Sequence, residues 1–440
     1  MAHSNGPSEE TLPLFNLKAV VRETGVSAPT LRMWERRYGL PRPQRTPSGR
    51  RLYSRRDIET VRWLTQRLSE GMTIGQAVAL WQELEARGQD PLRVPAPSRP
   101  APSPTGANLA GLRQAWLAAV LAFDELTADS VVNQAFALYP PETVCLEVLL
   151  QGLQEIGDLW YTGKATVSQE HFASNVAVRR LEALIQAAPP PSRPGRFLVL
   201  APPLERHSFN LRLLTFFLRR RGWDVVYLGA NVPLERLAET LQALRPHWVI
   251  TAAQYLATVA GLMDLAELAR AEGIPLGYGG RAFNQVPALR HHIPGYFLGE
   301  HLDEVPQRLE QWTAEGPPLL RVEPVPGLYR EALGIFRLRE IAIWGTVWLR
   351  LMEEGTAPDW FLEFGQEFGL HIQATLATGE MAVMDTYLSW LRGLRGERAV
   401  PKGWLPHFLS AYADALDRWM GSSAAFLAEY LRNRAQEQME

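Results

Sequence analysis

The stretch PPLERHSFNL, residues 202–211, places a carboxylate and an imidazole two positions apart, at Glu205 and His207. An imidazole nitrogen is a good ligand for a transition metal, and the second ring nitrogen needs a partner that fixes its tautomer and orientation. Glu205 is a candidate for that partner. Taken alone, a single histidine at a loop corner is more often a solvated or core side chain. The surrounding elements decide between these interpretations.

Short apolar strands alternate with helix-length stretches around this motif, after a proline-rich break at 188–196. The alternation is typical of a doubly wound α/β (Rossmann-like) fold with a parallel sheet. The predicted strands are RFLVLA, WDVVYLG, HWVITAA, PLGYGG and GYFLG. Open parallel sheets bind ligands beyond the carboxyl ends of their strands, and His207 follows the first of these strands. The pattern therefore favours a ligand-binding role for His207.

Composition excludes several classes of protein. The 440 residues are too many for one ordinary core, and 46% hydrophobic with 21% charged residues is typical of soluble globular proteins. No apolar run approaches ~18 residues, and the N-terminus lacks the basic-then-apolar order of a signal peptide. Cys145 is the only cysteine, which excludes an internal disulfide framework or a cysteine-rich metal site. We therefore expect a cytoplasmic protein without a membrane span.

Proline-rich breaks divide the chain into regions of different periodicity. Residues 91–108 contain six prolines and predict a semi-rigid linker. Residues 109–187 contain four amphipathic segments, which predict a four-helix bundle. The predicted fold class is multidomain, with a winged helix-turn-helix at 1–90, the linker at 91–108, the helical bundle at 109–187, the α/β domain at 188–318 and an all-α domain at 319–440.

The N-terminal region is basic, whereas the rest of the chain is acidic. Residues 16–62 contain eleven Arg and one Lys against four acidic residues, a net charge of +8, so the remainder carries −10. Gly25 ends one short helix and Ser27 caps the next, which predicts a helix-turn-helix that enters the major groove. A hairpin wing follows at 45–54, with Ser48 and Gly49 at its tip. The candidate DNA-binding residues are Thr30, Arg32, Arg36, Arg37, Arg45, Arg50, Arg51 and Tyr53, among which the arginines would hold phosphates.

This region resembles the MerR family of transcription regulators across about 70 residues. The stretches that carry the resemblance are TLRMWERRYGL and RTPSGRRLYSRRDI. The resemblance implies a double-stranded DNA operator as partner. The metal-sensing cysteines of some MerR proteins have no counterpart here, so a different effector is expected.

The centre of the chain, about residues 109–315, resembles the cobalamin-binding module of light-sensing MerR-type regulators of the CarH and LitR kind. The stretches that carry this resemblance are LWYTGKATVSQEHFASN, PPLERHSFNLRLL and GYGGRAF. It implies that His207 is the lower cobalt ligand. The cofactor-binding residues it implies are Trp160, Glu170 and His171 on the upper face, Glu205 and His207 below, and Gly279 and Gly280 beside the nucleotide tail, where glycine lets the backbone approach closely.

The sequence departs from this family at three places. Asn210 stands where the family loop normally has glycine, so a looser loop is expected beneath the corrin. Residues 252–254, Ala-Ala-Gln, stand where the family often has Ser or Thr, which weakens the expected polar contacts to the tail. Tyr161 follows Trp160 where some photoreceptors have a histidine that captures cobalt after light, so His171 or water would have to take that role.

The resemblance implies a light-responsive transcription regulator, in the first instance a repressor, with adenosylcobalamin as chromophore. Light cleaves the weak Co–C bond, and loss of a group packed on Trp160 would open a cavity worth a few kcal/mol. Such an energy can change the state of a homo-oligomer, a dimer or tetramer, and with it DNA affinity. The alternatives are a light-independent cobalamin-sensing regulator and, with less support, a cobalamin-dependent enzyme. The sequence shows no pattern of a partner catalytic domain such as a TIM barrel, which argues against an enzyme.

Residues 319–440 are predicted to be helical and contain six of the fourteen Trp residues. The simplest interpretation is a helical core or an oligomerisation domain. The alternative is a pocket for a second chromophore, either biliverdin or another bilin, as in the photocobilins that this region weakly resembles, or haem held by a histidine. Because Cys145 lies in the bundle, a bilin would be bound here without a thioether. The candidate residues for this second chromophore are His371, His407, Trp344 and Trp348.

Overall fold

The computed structural model describes residues 13–47, 49–69, 74–92, 108–355, 361–394 and 403–437. The chain divides into two compact units, Met1–Thr105 and Gly106–Glu440. Ser48, predicted at the tip of the wing, and nearly all of the predicted linker at 91–108 lie outside the described residues.

In the described part of the first unit, four helices combine with a three-stranded antiparallel sheet. Asn16 accepts a hydrogen bond from the backbone N–H of Ala19, and Ser27 accepts one from that of Thr30, so each caps the start of a helix. Gly25 ends the first helix with a φ of 72°, which favours glycine. The strands pair in the order β1-β3-β2. The elements are β1 (Phe15–Asn16), α1 (Leu17–Thr24), α2 (Ala28–Tyr38), β2 (Gln44–Arg45), β3 (Arg51–Tyr53), α3 (Arg55–Ser69) and α4 (Ile74–Ala86).

The second unit begins with helices packed around one apolar core. Trp116 in this core is fully buried against Gly152, where a Cβ would stand 2.7 Å from the indole ring, so two helices approach closely there. Cys145 is also fully buried, and burial raises the pKa of its thiol to about 12, which makes the thiol inert. The elements are α5 (Leu109–Leu121), α6 (Glu125–Leu138), α7 (Pro141–Val144), a π-helical segment (Cys145–Leu150), α8 (Gln151–Tyr161) and α9 (Val167–Gln186).

A five-stranded parallel sheet follows, in the order β5-β4-β6-β7-β8. Alternate residues of β4 face two different cores: Leu198 and Leu200 face one, Phe197 and Val199 the other. This confirms the predicted parallel α/β sheet. The elements are β4 (Arg196–Leu200), α10 (Phe209–Arg220), β5 (Asp224–Gly229), α11 (Leu237–Leu244), β6 (Trp248–Ala252), α12 (Val259–Ala271), β7 (Leu276–Gly279), α13 (Arg281–Gln285), β8 (Tyr296–Phe297) and α14 (Val305–Glu315).

The described C-terminal residues are helical, and their helices pack on the α/β sheet domain. Ala374, Ala377 and Val383 belong to the core on the α12 side of the sheet. An ion pair between Arg337 and Asp264, with Nη2 and Oδ2 2.7 Å apart, joins the two layers at the surface. The elements are α15 (Gly327–Glu353), α16 (Phe361–Thr378), α17 (Ala382–Gly393), α18 (Trp404–Met420) and α19 (Ala425–Gln436). Across the described ranges, no helix is long and apolar enough to cross a membrane.

Candidate functional site

The loop after β4 is held at the carboxyl edge of the sheet by the loop after the neighbouring strand β5. Asn231 follows β5, and its side-chain Oδ1 accepts a hydrogen bond of 2.7 Å from the backbone N–H of Leu204. The Asn231 N–H in turn donates to the carbonyl oxygen of Glu205 at 2.8 Å. Leu204 has a φ of 67° and is exposed, so the loop is strained at the point where it turns outward.

Glu205 is completely buried, and its carboxylate accepts hydrogen bonds on both oxygens. Oε1 accepts from the backbone N–H of His207 at 2.8 Å. Oε2 accepts from the Gln254 N–H at 2.7 Å and from the Thr258 hydroxyl at 2.9 Å. Burial alone would raise the pKa of Glu205, but hydrogen bonds from the His207 ring and from the backbone of His207 and Gln254 outweigh it and lower the pKa. Glu205 is therefore an ionised acceptor at the base of the loop.

The ring of His207 is oriented by this carboxylate. Nδ1 lies 3.0 Å from Oε1 of Glu205, and because the carboxylate can only accept, Nδ1 carries the proton. Nε2 then presents a lone pair, which accepts a hydrogen bond of 3.2 Å from the Tyr255 hydroxyl. The Tyr255 ring packs edge-on against the imidazole at 4.4 Å. His207 is thus oriented with Nδ1 towards Glu205 and Nε2 towards Tyr255, which covers it.

Apolar surface surrounds this histidine at the sheet edge. Leu204 is 52% exposed and Tyr255 49% exposed, and the His207 side chain is half exposed. Apolar side chains around a few polar groups are the usual lining of a small-molecule site.

Gly280 provides a close backbone approach between the ends of β6 and β7. Its φ is 116°, and a Cβ there would overlap the carbonyl oxygen of Ala253. Gly279 has more space, since a Cβ there would meet its nearest neighbour, the Gly299 carbonyl oxygen, at 4.0 Å. The Gln254 side-chain Nε2 is buried beside this turn and has no hydrogen-bond partner in the described part of the chain. An unsatisfied buried donor at a strand end fits a ligand with acceptor groups.

The helical bundle supplies the predicted upper-face residues. Trp160 lies partly buried at the end of α8, and Glu170 and His171 lie in the first turns of α9. His171 is exposed, with Nδ1 2.7 Å from the Glu170 carboxylate. Burial and then the charges of nearby carboxylates, Glu170 among them, raise the pKa of Tyr255 to about 12. Glu170 therefore lies close enough to Tyr255 to act on it, and the bundle faces the His207 loop.

Tyr161 has a role that the sequence did not indicate. Its hydroxyl donates a hydrogen bond of 3.2 Å to the backbone carbonyl of Trp390 in α17, and the two rings stack at 6.1 Å. Gly393 lies at the same contact, because a Cβ there would overlap the Tyr161 hydroxyl. The position next to Trp160 thus joins the bundle to the C-terminal helices. Its partner lies 229 residues away, so no local pattern signals the contact.

The residues predicted for a second chromophore lie on three of the C-terminal helices, α15, α16 and α18. His371 in α16 is buried, its Nδ1–H donates to the Glu367 carbonyl at 2.8 Å, and burial lowers its pKa to about 4. His407 is exposed at the start of α18. Trp344 and Trp348 are half-buried on α15, with ring centroids 6.4 Å apart. The described ranges also contain no group of three or more His, Cys, Asp or Glu placed to hold a metal ion.

In the first unit, most of the predicted DNA-binding arginines are on the surface. The exposed ones are Arg32, Arg36 and Arg37 on α2 and Arg45 and Arg50 on the hairpin. Thr30 is half-buried, and its hydroxyl pairs with that of Ser27 at 2.7 Å. Thr30 therefore takes part in the helix cap as well as facing the surface.

Arg51 and Tyr53 are less exposed than the five surface arginines. The Arg51 Nε lies 2.6 Å from Oε2 of Glu35, a residue that the sequence did not single out. Tyr53 is fully buried in the core of the unit, in register with Phe15 of β1. The expected DNA contact of the Tyr53 side chain is corrected for this reason: β3 turns this residue inward. The ion pair between Arg51 and Glu35 joins β3 to α2.

Family models match three parts of the chain. A model described as "MerR HTH family regulatory protein" matches residues 15–84. Two models described as "B12 binding domain" match residues 112–185 and 195–306. These matches define a DNA-binding transcription regulator of the MerR type that binds cobalamin. They end at residue 306, before the C-terminal helices.

Two relatives from Myxococcus xanthus cover most of this architecture. The "HTH-type transcriptional repressor CarH" is 32% identical over 290 residues, 65% of this chain and 95% of the relative. The "HTH-type transcriptional repressor CarA" is 30% identical over 234 residues, 53% of this chain and 74% of the relative. The monomethylamine corrinoid protein of Methanosarcina barkeri has a TM-score of 0.40 at 17% identity, over 44% of this chain and 95% of that one. The chain belongs to the family of B12-binding MerR-type transcriptional repressors that includes CarH and CarA.

Proposed function

We propose that the protein is a light-responsive repressor with adenosylcobalamin as chromophore, bound between the helical bundle and the sheet edge. The observation that carries the proposal is the Glu205–His207 pair, a buried carboxylate that holds an imidazole at a half-exposed strand end. A carboxylate that accepts from the second ring nitrogen is the usual partner of a metal-binding imidazole. His207 would bind the cobalt of the cofactor through Nε2.

The other predicted cofactor residues fit the same group. Gly280 and the unsatisfied Gln254 amide would accommodate the nucleotide tail at the ends of β6 and β7. Trp160, Glu170 and His171 would cover the adenosyl group from the bundle. The cofactor supplies a Co–C bond that light cleaves.

The chain's own residues would prepare the ligand and respond to the cofactor. Tyr255 must move away from His207 before Nε2 can bind the cofactor, while Glu205 keeps the proton on Nδ1. If a group that Trp160 covered were lost, the bundle would have a cavity to close, and cavities cost a few kcal/mol. That energy is enough to shift an oligomer equilibrium by about 100-fold. MerR modules bind paired half-sites, so a dark oligomer would hold the operator and light would release it.

The second candidate is a repressor that senses cobalamin as a metabolite, and it would use the same pocket. The family membership favours a regulator over an enzyme, since both relatives are named repressors. A second tetrapyrrole at 319–440 stays a prediction from sequence. Addition of biliverdin or haem to the purified protein tests it, because either pigment would add a visible band when bound.

The cofactor site is tested by titrating the full-length protein with adenosylcobalamin in the dark. We expect a His207→Ala variant to bind at least tenfold more weakly and to lose the spectral change of histidine ligation. His247→Ala is the control, because His247 lies at the opposite, amino end of β4. Equal spectra and affinities for wild type and His207→Ala would contradict the site. Green light is then applied, and a metabolite sensor would show the same oligomer mass before and after it.

A further inference from the structure

One face of α16 and α17 carries polar groups that make no hydrogen bond to another side chain within the described part of the chain. Glu367 and His371 lie four residues apart, hence on one side of α16. Tyr387 of α17 stacks on His371 with ring centroids 3.6 Å apart and planes 12° from parallel. The Tyr387 hydroxyl is buried and unpaired. We call these three residues the α16–α17 polar face.

The hydrogen-bonding capacity of this face is defined. Because Nδ1–H of His371 donates to the Glu367 carbonyl, and because the ring is neutral above pH 4, Nε2 can only accept. The Glu367 carboxyl is half-buried, and burial raises its pKa. Buried polar groups without partners cost free energy, so native proteins keep few of them. The α16–α17 polar face therefore offers the Glu367 carboxyl, Nε2 of His371 and the Tyr387 hydroxyl to hydrogen-bond donors of a ligand.

The polar face lies beside the His207 loop. Helix α16 packs against the 3₁₀ turn at Leu256–Thr258. Thr258 and the backbone N–H groups of Gln254 and Tyr255 donate to the Glu205 carboxylate, which orients His207. Burial, and then the charges of Glu205, Glu170 and Glu367, raise the pKa of Tyr255 to about 12. Carboxylates of the bundle and of the C-terminal helices therefore approach the residue that covers Nε2 of His207.

The same face is connected to the bundle side of the site. Tyr387 stacks on Trp390 at 6.0 Å, and Trp390 stacks on Tyr161 at 6.1 Å. Tyr161 follows Trp160, the predicted cover of the upper face. An aromatic column thus runs from the bundle to His371. The C-terminal helices therefore contact both the 3₁₀ turn beside the His207 loop and the end of α8 in the bundle.

We propose that the α16–α17 polar face is a third wall of the cobalamin site, where Glu367, His371 and Tyr387 hydrogen-bond to donor groups of the bound cofactor. The proposal rests on the proposed cobalamin site at His207. The cofactor has two sources of donors with the same chemistry, the carboxamide N–H groups at the corrin edge and the ribose hydroxyls of the adenosyl group. Either would satisfy the unpaired acceptors. Helices α16 and α17 then belong to the cobalamin site, although the matched family models end before them.

The test uses full-length protein in the dark, titrated in parallel with adenosylcobalamin and hydroxocobalamin. Tyr387→Phe removes only the unpaired hydroxyl, and Glu367→Gln removes only the charge. Each is expected to weaken binding about threefold to tenfold, the size of one hydrogen bond. Glu353→Gln is the matched control, because Glu353 is exposed on α15. Thermal unfolding without cofactor should not be lowered by Tyr387→Phe, since the hydroxyl has no partner to lose.

The two cofactors distinguish the donor sources. Weaker binding of both forms supports the carboxamides, and weaker binding of adenosylcobalamin alone supports the ribose. If Tyr387→Phe and Glu367→Gln bind both cofactor forms with wild-type affinity, the proposal that this face contacts the cofactor is refuted. The proposed site at His207 is not affected by that result. Failure of the wild-type protein to bind either form would refute the proposed function itself, so the two failures are distinguishable.

Discussion

Oε1 of Glu205 accepts a hydrogen bond from Nδ1 of His207, and the two atoms lie 3.0 Å apart. The Glu205 side chain that makes this bond is completely buried. Its second oxygen is tied to Gln254 and Thr258 after β6. The orientation of the histidine therefore depends on two strands of the sheet at once. This relationship separates His207 from an ordinary loop histidine, and the first prediction follows from it.

Glu205→Gln should weaken cobalamin binding by about 10- to 100-fold, because the amide cannot accept on both sides and no longer stabilises the ring. The variant should also lose about 2 kcal/mol of unfolding free energy, since charged hydrogen bonds to buried donors are lost. Absorbance titration and urea unfolding measure the two effects. Glu235→Gln, at an exposed position after β5, is the control. Unchanged affinity in Glu205→Gln would show that the carboxylate does not orient the ligand.

Tyr255→Phe should tighten cobalamin binding about threefold. The variant removes the hydroxyl that donates to Nε2 of His207, so the ligand atom no longer has to break a hydrogen bond of about 0.5–1.5 kcal/mol before it binds. The same titration measures this. Binding that is weaker than wild type would mean that the hydroxyl contacts the cofactor instead of competing with it.

Gly393→Ala should destabilise the protein by about 1–3 kcal/mol, because the new Cβ would overlap the Tyr161 hydroxyl where α8 meets α17. Tyr161→Phe in the same chain should recover part of the loss by removing that oxygen. Gly334→Ala is the matched control: it lies in α15 with no neighbour within 4 Å, and helix propensity predicts a gain of about 0.5–1 kcal/mol. Equal thermal midpoints for the two alanine variants would contradict the contact.

Arg36→Ala should weaken operator binding and reduce the slope of log affinity against log salt by about one, as expected for one phosphate contact. Tyr53→Phe should leave both quantities unchanged, because the Tyr53 hydroxyl is buried and has no partner in the described residues. Electrophoretic mobility shifts at several salt concentrations measure both variants. A loss of affinity in Tyr53→Phe would restore the DNA contact that the sequence suggested.

Stability should fall as the pH is lowered from about 6.5 to about 4, because burial lowers the pKa of His371 to about 4. In this window the unfolded chain binds a proton on His371 and the folded chain does not, so acid favours unfolding. The full effect is about 3 kcal/mol and is complete below the folded pKa. Urea unfolding of wild type and His371→Phe across this range tests it. Parallel pH profiles of the two proteins would contradict the effect.

Much of the fold could be predicted because its signals are local. Each predicted strand, from RFLVLA to GYFLG, corresponds to a strand of the sheet, since short apolar runs between turns define strands. Gly25 and Ser27 likewise mark the turn between α1 and α2. Local spacing also singled out Glu205 and His207, whose hydrogen bond joins residues two positions apart.

The remaining site residues could not be predicted because their partners are distant in sequence. Thr258 binds Glu205 across 53 positions, and Tyr161 binds Trp390 across 229. Tyr53 was misplaced for a different reason: in a strand of three residues, alternation is too short to show which face is buried. Asn231 carried a sequence signal, because it lies just after a predicted strand. Its hydrogen bond to Leu204 could not be predicted, because Leu204 lies in the loop after a different strand.

The proposed cofactor site at His207 is expected to couple light to DNA binding. The most direct test measures operator affinity and oligomer mass of the full-length protein with adenosylcobalamin, in the dark and after green light, beside the His207→Ala variant. We expect tight binding by a larger oligomer in the dark, and a loss of both on illumination that the variant does not show. Equal DNA affinity and mass of the cofactor-loaded wild type before and after light would contradict it.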